Sequence, residues 1–169
     1  PKLPYFSGEF THYGNECAQL LAELDPDFNL KCFHFDHTQP QLKDLPEFDR
    51  ILFFTCHSIE QVSRLGSAFF EAVARAAKHT ECFHFEPFGF QMSIQGQNET
   101  QVDKDQGEYF TRQGWNQDLF SQLIHSHNRQ IIELKYLGKN LMGGDYRNPT
   151  SLAIGWRSIA LARQPKGNR

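Results

Sequence analysis

The chain has 169 residues, a formal net charge of −3 and a hydrophobic fraction of 39%. This length is typical of one domain, and the composition is that of a folded globular protein rather than a disordered one. The slightly acidic balance excludes a strongly basic nucleic-acid-binding surface, and no apolar run approaches the ~18 residues that cross a membrane.

No N-terminal segment resembles a signal peptide, and the cysteines form no CxxC pair. These features predict a cytoplasmic protein with free thiols. The four cysteines are Cys17, Cys32, Cys56 and Cys82. The chain begins at Pro1 without an initiator methionine, which raises the expectation that it is a fragment of a longer protein with further domains.

Strand and helix patterns alternate in the first third of the chain. A weak strand is predicted over 3–7 and a helix over 15–24, where apolar residues recur at helical spacing after Asn15 as N-cap. A second strand is predicted over 30–35. The segment 38–48 contains two prolines, which exclude a regular element over its full length and leave room for one helical turn.

The middle of the chain repeats this alternation with stronger signals. Residues 50–56 contain a continuous apolar run, which is typical of a strand buried on both faces. A long amphipathic helix is predicted over 58–78, with Ser58 as N-cap and Gln61 completing a capping box. A further strand is predicted over 81–85. Residues 87–114 are polar and without a strong period, which predicts a long functional loop.

A last helix, over 115–127, precedes strands predicted over 130–137 and 151–162. Neighbouring strands with no helix between them pair antiparallel, whereas the earlier alternation implies parallel strands with right-handed crossovers. We therefore predict the α/β class, with a three-layer Rossmann-like sheet that is mostly parallel and ends in an antiparallel strand pair. One domain is expected over 1–163, followed by a tail.

Three of the predicted strands end in a histidine close to an acid. The phrases are CFHFDH at 32–37, FFTCHSIE at 53–60 and CFHFEP at 82–87. Ligands of an open parallel sheet bind in the crevice at the carboxyl ends of its strands. We expect these polar residues to border the binding site.

The order of elements resembles that of the class I S-adenosylmethionine-dependent methyltransferases, whose sheet has an antiparallel last strand. Their acid-and-glycine loop is similar to the stretch from Glu9 to Gly14, in which Thr11 stands where glycine is usual. Their acid after the second strand is matched by Asp36. Their S-x-x-x-E-H segment is similar to CHSIEQ at 56–61, and the phrase EP of some members recurs at 86–87.

This resemblance implies S-adenosylmethionine as cofactor and methyl transfer to a small polar acceptor, such as a sugar or a natural product, covered by residues 88–115. The cofactor-binding residues that it implies are Glu9, Gly14, Asp36, Thr55 and Cys56. His57 and Glu86 are the candidate bases for a proton of the acceptor. No resident metal is implied.

Other interpretations stay open. The scarcity of glycine in the first loop also suits a non-catalytic binding or scaffold domain of a larger protein. A metal-dependent hydrolase would instead use the strand-end residues as ligands: His34 or His37, Asp36, His57 and Glu86. Single residues have structural alternatives as well: Asp36 as the cap of its own loop, Glu60 as a partner of the helix dipole, and His84 as a core histidine.

Overall fold

The computed structural model describes residues 3–42, 45–93, 97–143 and 149–158, without the side chains of residues 157 and 158. The fold is α/β, of the Rossmann-like kind. Its elements are β1 (Tyr5–Glu9), α1 (His12–Glu23), β2 (Leu30–His34), β3 (Phe48–Cys56), α2 (Ser67–Arg75), β4 (Ala77–Glu86), α3 (Gln101–Gln113), α4 (Leu119–Asn128), β5 (Glu133–Met142) and β6 (Thr150–Ser158). A first 3-10 turn at Ile59–Gln61 follows β3, and a second 3-10 turn at Gly89–Met92 follows β4. The predicted tail and the predicted end of the last strand lie outside the described residues.

Helix α1 begins earlier than the sequence predicts. Thr11 is its N-cap, with extended backbone and a side-chain oxygen that accepts from the amide of Gly14 at 2.9 Å. Asn15 lies in the first turn instead, where its side-chain amide donates to the carbonyl of Thr11 at 3.2 Å. The prediction of Asn15 as the cap was therefore wrong, and α1 packs on β1 and β2 with its start next to Glu9.

The predicted helix over 58–78 is instead a 3-10 turn, helix α2 and the start of β4. The chain leaves the first 3-10 turn and enters α2 at Gly66, whose φ of +72° is a conformation that glycine adopts at little cost. Ser58 makes no side-chain cap, so the predicted capping box is absent. β4 starts at Ala77 because the chain there pairs with Phe48 of β3, and this pairing outweighs the helical period.

The polar stretch 87–114 contains a helix that the sequence analysis missed. Helix α3 starts with a reciprocal capping box between Thr100 and Asp103, and Gly114 ends it in the left-handed conformation. Its apolar signal is weak because few of its side chains are buried: Asp103, Gln106 and Phe110. The capping pattern was visible in the sequence even though the helical period was not.

The strands form two hydrogen-bonded groups within the described residues. β1 and β2 make a parallel pair, and the order β3-β4-β6-β5 makes a four-stranded sheet. β3 and β4 are parallel, whereas β6 runs antiparallel between β4 and β5. The sheet is therefore mixed. Because β6 is reversed, its first residues lie at the carboxyl ends of β3 and β4, where Ser151 pairs with Glu86.

The hydrophobic core covers one face of the four-stranded sheet. Helices α2 and α4 contact each other and pack against β4 and β5. Phe69 of α2 is fully buried, and its ring centroid lies 6.0 Å from those of both Phe53 and His84. Other core members are Phe35, Ile59, Leu65, Phe70, Val73, Phe88, Leu119, Leu123 and Ala153. No helix in the described part of the chain is both long and apolar enough to span a bilayer.

Candidate functional site at the carboxyl edge of the sheet

Polar side chains gather where the parallel strands end and the antiparallel last strand begins. We call this set the rim: Glu9 at the end of β1, Asp36 after β2, His57 after β3, Glu86 at the end of β4 and Thr150 at the start of β6. The expected convergence of strand ends is confirmed for β3 and β4, since Cys56 pairs with Phe85. The rim is the place where this fold would bind a ligand.

His57 is held from both of its ring nitrogens. Nδ1 lies 3.2 Å from Oε2 of Glu60, and Nε2 lies 2.7 Å from Oγ1 of Thr150. An ionised carboxylate only accepts hydrogen bonds, so Nδ1–H is the donor to Glu60, and in the neutral form of the imidazole Nε2 accepts from the Thr150 hydroxyl. This tautomer presents Nε2 as a proton acceptor at the rim.

The backbone of His57 is also unusual. Its φ is +49°, in the left-handed region that residues with a Cβ seldom occupy. Such conformations persist where the surrounding structure enforces them, and they concentrate at functional sites. Here the enforcing group is the next acid along the rim.

Glu86 holds the turn that carries His57. Its Oε1 accepts from the backbone amides of Ser58 at 3.1 Å and Ile59 at 3.3 Å. The residue is only 1% exposed, and burial raises the pKa of Glu86. The hydrogen bonds that its carboxylate accepts from the backbone amides of Ser58 and Ile59 offset part of this rise. Its Oε2 is buried without a hydrogen-bond partner among the described residues. Glu86 is therefore shaped to position the His57 turn.

Thr55 and Cys56 lie on opposite faces of the sheet. The hydroxyl of Thr55 shares a 3.0 Å hydrogen bond with Nδ1 of the fully buried His84. Burial lowers the pKa of His84 to about 3, so its ring is neutral and belongs to the core. The thiol of Cys56 is exposed, and its pKa is raised by desolvation and by the carboxylates of Glu86 and Glu60.

In the first loop, Glu9 folds back onto the start of α1. Its Oε1 accepts from both the amide and the hydroxyl of Thr11, at 3.1 and 3.2 Å. A Cβ added to Gly14 would lie 2.4 Å from Cγ of Glu9, so the missing side chain of Gly14 makes room for Glu9 itself. The glycine thus serves a packing need inside the loop.

Asp36 closes its own loop with one carboxylate oxygen. Oδ1 accepts from the amide and from the hydroxyl of Thr38, both at 2.7 Å, and the hydroxyl bond holds the pKa of Asp36 below its usual value. Its neighbour His37 stacks on Phe69 at 5.6 Å and reaches Oγ of Ser58 at 3.4 Å, which links the end of β2 to the His57 turn.

The histidines and acids of the strand ends do not gather around one point. Within the described ranges, no group of three or more histidine, cysteine, aspartate or glutamate side chains has a geometry that could hold a metal ion. His57 is bound to Glu60 and Thr150, and Glu86 to backbone amides, so each of these rim residues already has a different partner.

Sequence reasoning missed the two partners of His57. The spacing of three residues between His57 and Glu60 allows a contact across one turn, but it was interpreted as a helix-dipole effect. Thr150 carries no local signal, because it is 93 residues away from His57 in the chain. Only the antiparallel placement of β6 brings it to the rim.

Several solved structures are similar in fold. The methyltransferase domain of bacterial CtHen1-C matches over 92% of this chain and 77% of its own, at 8% identity and a TM-score of 0.48. The N-terminal domain of EvdMO1, solved in the presence of SAH and D-fucose, matches over 94% and 67%, at 13% identity and a TM-score of 0.47. The Pnkp1/Rnl/Hen1 complex matches over 92% and 32%, at 16% identity and a TM-score of 0.46.

No protein-family model matches the chain, and no curated protein does. The TM-scores of these structures are all 0.48 or lower. The function therefore has to be inferred from the rim itself.

Proposed function

We propose that the protein transfers a methyl group from S-adenosylmethionine to a hydroxyl group of a small polar acceptor, such as a sugar. The observation that carries this proposal is the rim: an acid follows β2 of the two-stranded pair, and a histidine bonded at both ring nitrogens follows β3 of the four-stranded sheet, which contains the antiparallel last strand. Methyl transfer suits such a site, because it needs alignment and a proton acceptor more than covalent help from the protein.

The residues of the rim fit the cofactor in part. Asp36 is half-buried just after β2, and a carboxylate in that place would accept hydrogen bonds from the two ribose hydroxyls. Phe10 is exposed next to His34, with ring centroids 5.6 Å apart, and offers an aromatic surface beside the same strand end. In the Glu9–Gly14 loop, Glu9 fills the open side of Gly14, so this loop would offer a carboxylate and the start of α1 instead of a glycine cradle.

When bound, S-adenosylmethionine supplies a methyl group on a positively charged sulfur. The chain supplies the proton acceptor, and of the two predicted bases we assign this role to Nε2 of His57. Glu86 acts indirectly, since its carboxylate holds the amides of Ser58 and Ile59 and thereby the turn that carries His57. A base already held in the correct tautomer needs no reorganisation when the proton arrives.

A groove for the acceptor lies between the second 3-10 turn and α3. Its volume is about 630 Å³, within the usual range for small-molecule sites, and it falls inside the stretch predicted to cover the acceptor. Its lining combines an aromatic ring, Phe90, with polar groups such as Gln91, Glu99 and Arg112. The side-chain amide of Gln91 donates to the carbonyl of Asn116, and the backbone amide of Asn116 donates to the carbonyl of Glu60, the residue whose side chain contacts His57.

The decisive test is binding of S-adenosylmethionine, measured by isothermal titration calorimetry. Asp36→Ala should weaken binding by about 10- to 100-fold, because a charge-assisted hydrogen bond is worth roughly 1.5–3 kcal/mol. Asp25→Ala is a matched control: Oδ1 of Asp25 closes its own turn by accepting from the amide of Asp27 at 2.9 Å, but it lies at the opposite end of β2.

If the unaltered protein does not bind S-adenosylmethionine, the methyltransferase assignment is wrong and the scaffold alternative gains support. If both variants weaken binding equally, the cofactor binds but Asp36 does not hold the ribose.

A further inference from the structure

The contacts of His57 form a continuous chain of three polar groups. The carboxylate of Glu60, the imidazole of His57 and the hydroxyl of Thr150 are joined by hydrogen bonds of 3.2 and 2.7 Å. Glu60 and Thr150 are each 8% exposed, while the histidine between them is partly open to solvent. An acid, an imidazole and a hydroxyl in this order form the arrangement by which a base withdraws a proton from an alcohol.

This arrangement is assembled at a conformational cost. His57 adopts a left-handed backbone, and the buried carboxylate of Glu86 holds the following two amides in place. Thr150 arrives from a distant part of the chain on the reversed strand β6. A histidine that only filled space at the end of β3 would require none of these features.

The bond to Thr150 also decides how a proton can reach the base. Nε2 is the only ring nitrogen of His57 not engaged by Glu60, and in the structure it is occupied by the Thr150 hydroxyl. In this geometry, a proton taken up by Nε2 therefore comes from Oγ1 of Thr150. A hydroxyl can accept one hydrogen bond while it donates another, which makes it suitable for passing a proton on.

We infer that Thr150 is a proton relay between the bound acceptor and His57, and that Glu60 is the positioning residue of this relay. The inference rests on the proposed function and adds the route of the proton. In the step, the O–H bond of the acceptor breaks and its proton goes to Oγ1 of Thr150, while the proton of Thr150 goes to Nε2 of His57. The acceptor oxygen keeps the electron pair that would form its bond to the methyl group, while the methyl–sulfur bond would break and leave its electron pair on the now neutral sulfur. The resulting imidazolium is stabilised by Glu60.

A relay makes Thr150 more reactive than an ordinary threonine, and this can be measured without knowing the acceptor. The probe is p-nitrophenyl acetate. Oγ1 of Thr150 attacks the ester carbonyl, its proton passes to His57, p-nitrophenolate leaves, and a stable acetyl ester remains on Thr150. Mass spectrometry of the digested protein gives the rate at each threonine, and Thr111, whose hydroxyl donates to the carbonyl of Gly107, is the internal reference.

Thr150 should be acetylated at least 10-fold faster than Thr111, because a positioned general base contributes roughly 10²- to 10⁴-fold. His57→Asn should remove this difference while tolerating the left-handed backbone, which asparagine adopts more readily than most residues. Thr150→Ser should keep the label at position 150. Equal rates at Thr150 and Thr111, or a fast rate that survives in His57→Asn, would overturn the relay.

A second readout reports the hydrogen bond itself. The ¹⁵N resonances of the His57 ring should show Nδ1 protonated and Nε2 unprotonated, and Thr150→Val should move the Nε2 resonance by removing its donor. Thr80→Val is the matched control, a buried β-strand threonine in the same sheet, and should leave both resonances unchanged. An unmoved Nε2 resonance in Thr150→Val would show that the bond does not form in solution.

These measurements separate the two proposals. Failure to bind S-adenosylmethionine, with rapid acetylation of Thr150 retained, would reject methyl transfer as the use of the relay and leave the activated hydroxyl in place. Binding of S-adenosylmethionine with an unreactive Thr150 would reject the relay alone.

Discussion

The four-stranded sheet has two unlike faces. On the inner face, apolar side chains of β3 and β4 are covered by the helical layer of α2 and α4. On the outer face, apolar side chains of the same strands face solvent. Phe53 and Phe54 are neighbours in sequence, yet Phe53 packs on the fully buried Phe69, whereas Phe54 is 65% exposed. Leu52 is 64% exposed on the same outer face. Both side chains are therefore open to solvent in the part of the chain that the structure describes.

The inner face is also the one that supports the site. Thr55, His84 and Glu86 point to it, and the His57 turn is held by Glu86. On the outer face, Phe54 pairs with Phe83, and Phe83 pairs with Ile154. None of these three residues belongs to the rim. Burial, and not residue type, therefore separates the part of the sheet that stabilises the site from the part that does not.

The largest expected effect lies on the inner face. Phe69→Ala should lower the free energy of unfolding by about 3–5 kcal/mol, because it removes a fully buried ring and leaves a cavity among well-packed neighbours. Urea denaturation followed by circular dichroism measures this change. A cost below about 1 kcal/mol would contradict the view that α2 and the sheet form one close-packed core.

A smaller effect on the free energy of unfolding is expected from His84, the buried imidazole of the inner face, when the pH is lowered. Burial, with a minor contribution from His37, lowers the pKa of His84 to about 3, whereas an unfolded histidine titrates near 6.5. Between these pH values the unfolded state binds one proton more than the folded state, so stability is fully present above pH ~6.5 and falls as the pH is lowered. Below pH ~6.5, His84 should lower the free energy of unfolding by up to about 1.4 kcal/mol for each pH unit.

The His84 prediction is tested by urea denaturation at a series of pH values between 7 and 4. His84→Gln should flatten the dependence of unfolding free energy on pH relative to the unaltered protein. His79→Gln, on the outer face of the same strand, is the control for loss of an imidazole. If both substitutions flatten the dependence equally, burial of His84 is not its cause.

The smallest effect is expected on the outer face. Phe54→Ala should change the free energy of unfolding by about 0.5 kcal/mol or less, because an exposed ring gains little from the folded state. The same urea titration compares it directly with Phe69→Ala. A cost close to that of Phe69→Ala would mean that this face is covered in solution, and the contrast between the two faces would then disappear.

Local sequence signals predicted the fold well where an element could be recognised by its own residues. The continuous apolar run of β3 was predicted within two residues at its start, and β2 within one at its end. The helix over 58–78 was wrong, because a helical period cannot reveal that Gly66 turns the chain or that Ala77 pairs with Phe48. Helix α3 was missed because its buried side chains are mostly polar.

For the site, the sequence alone was enough to locate the strand ends that carry Asp36, His57 and Glu86, because parallel strands end at one edge and their polar endings are visible in the chain. Which atoms meet there was decided by tertiary structure. The hydrogen bonds that the Glu86 carboxylate accepts from backbone amides depend on the fold of the His57 turn. The contact between His57 and Thr150 depends on the reversal of β6. A contact across 93 residues leaves no local pattern, since it arises from strand pairing and not from the residues beside it.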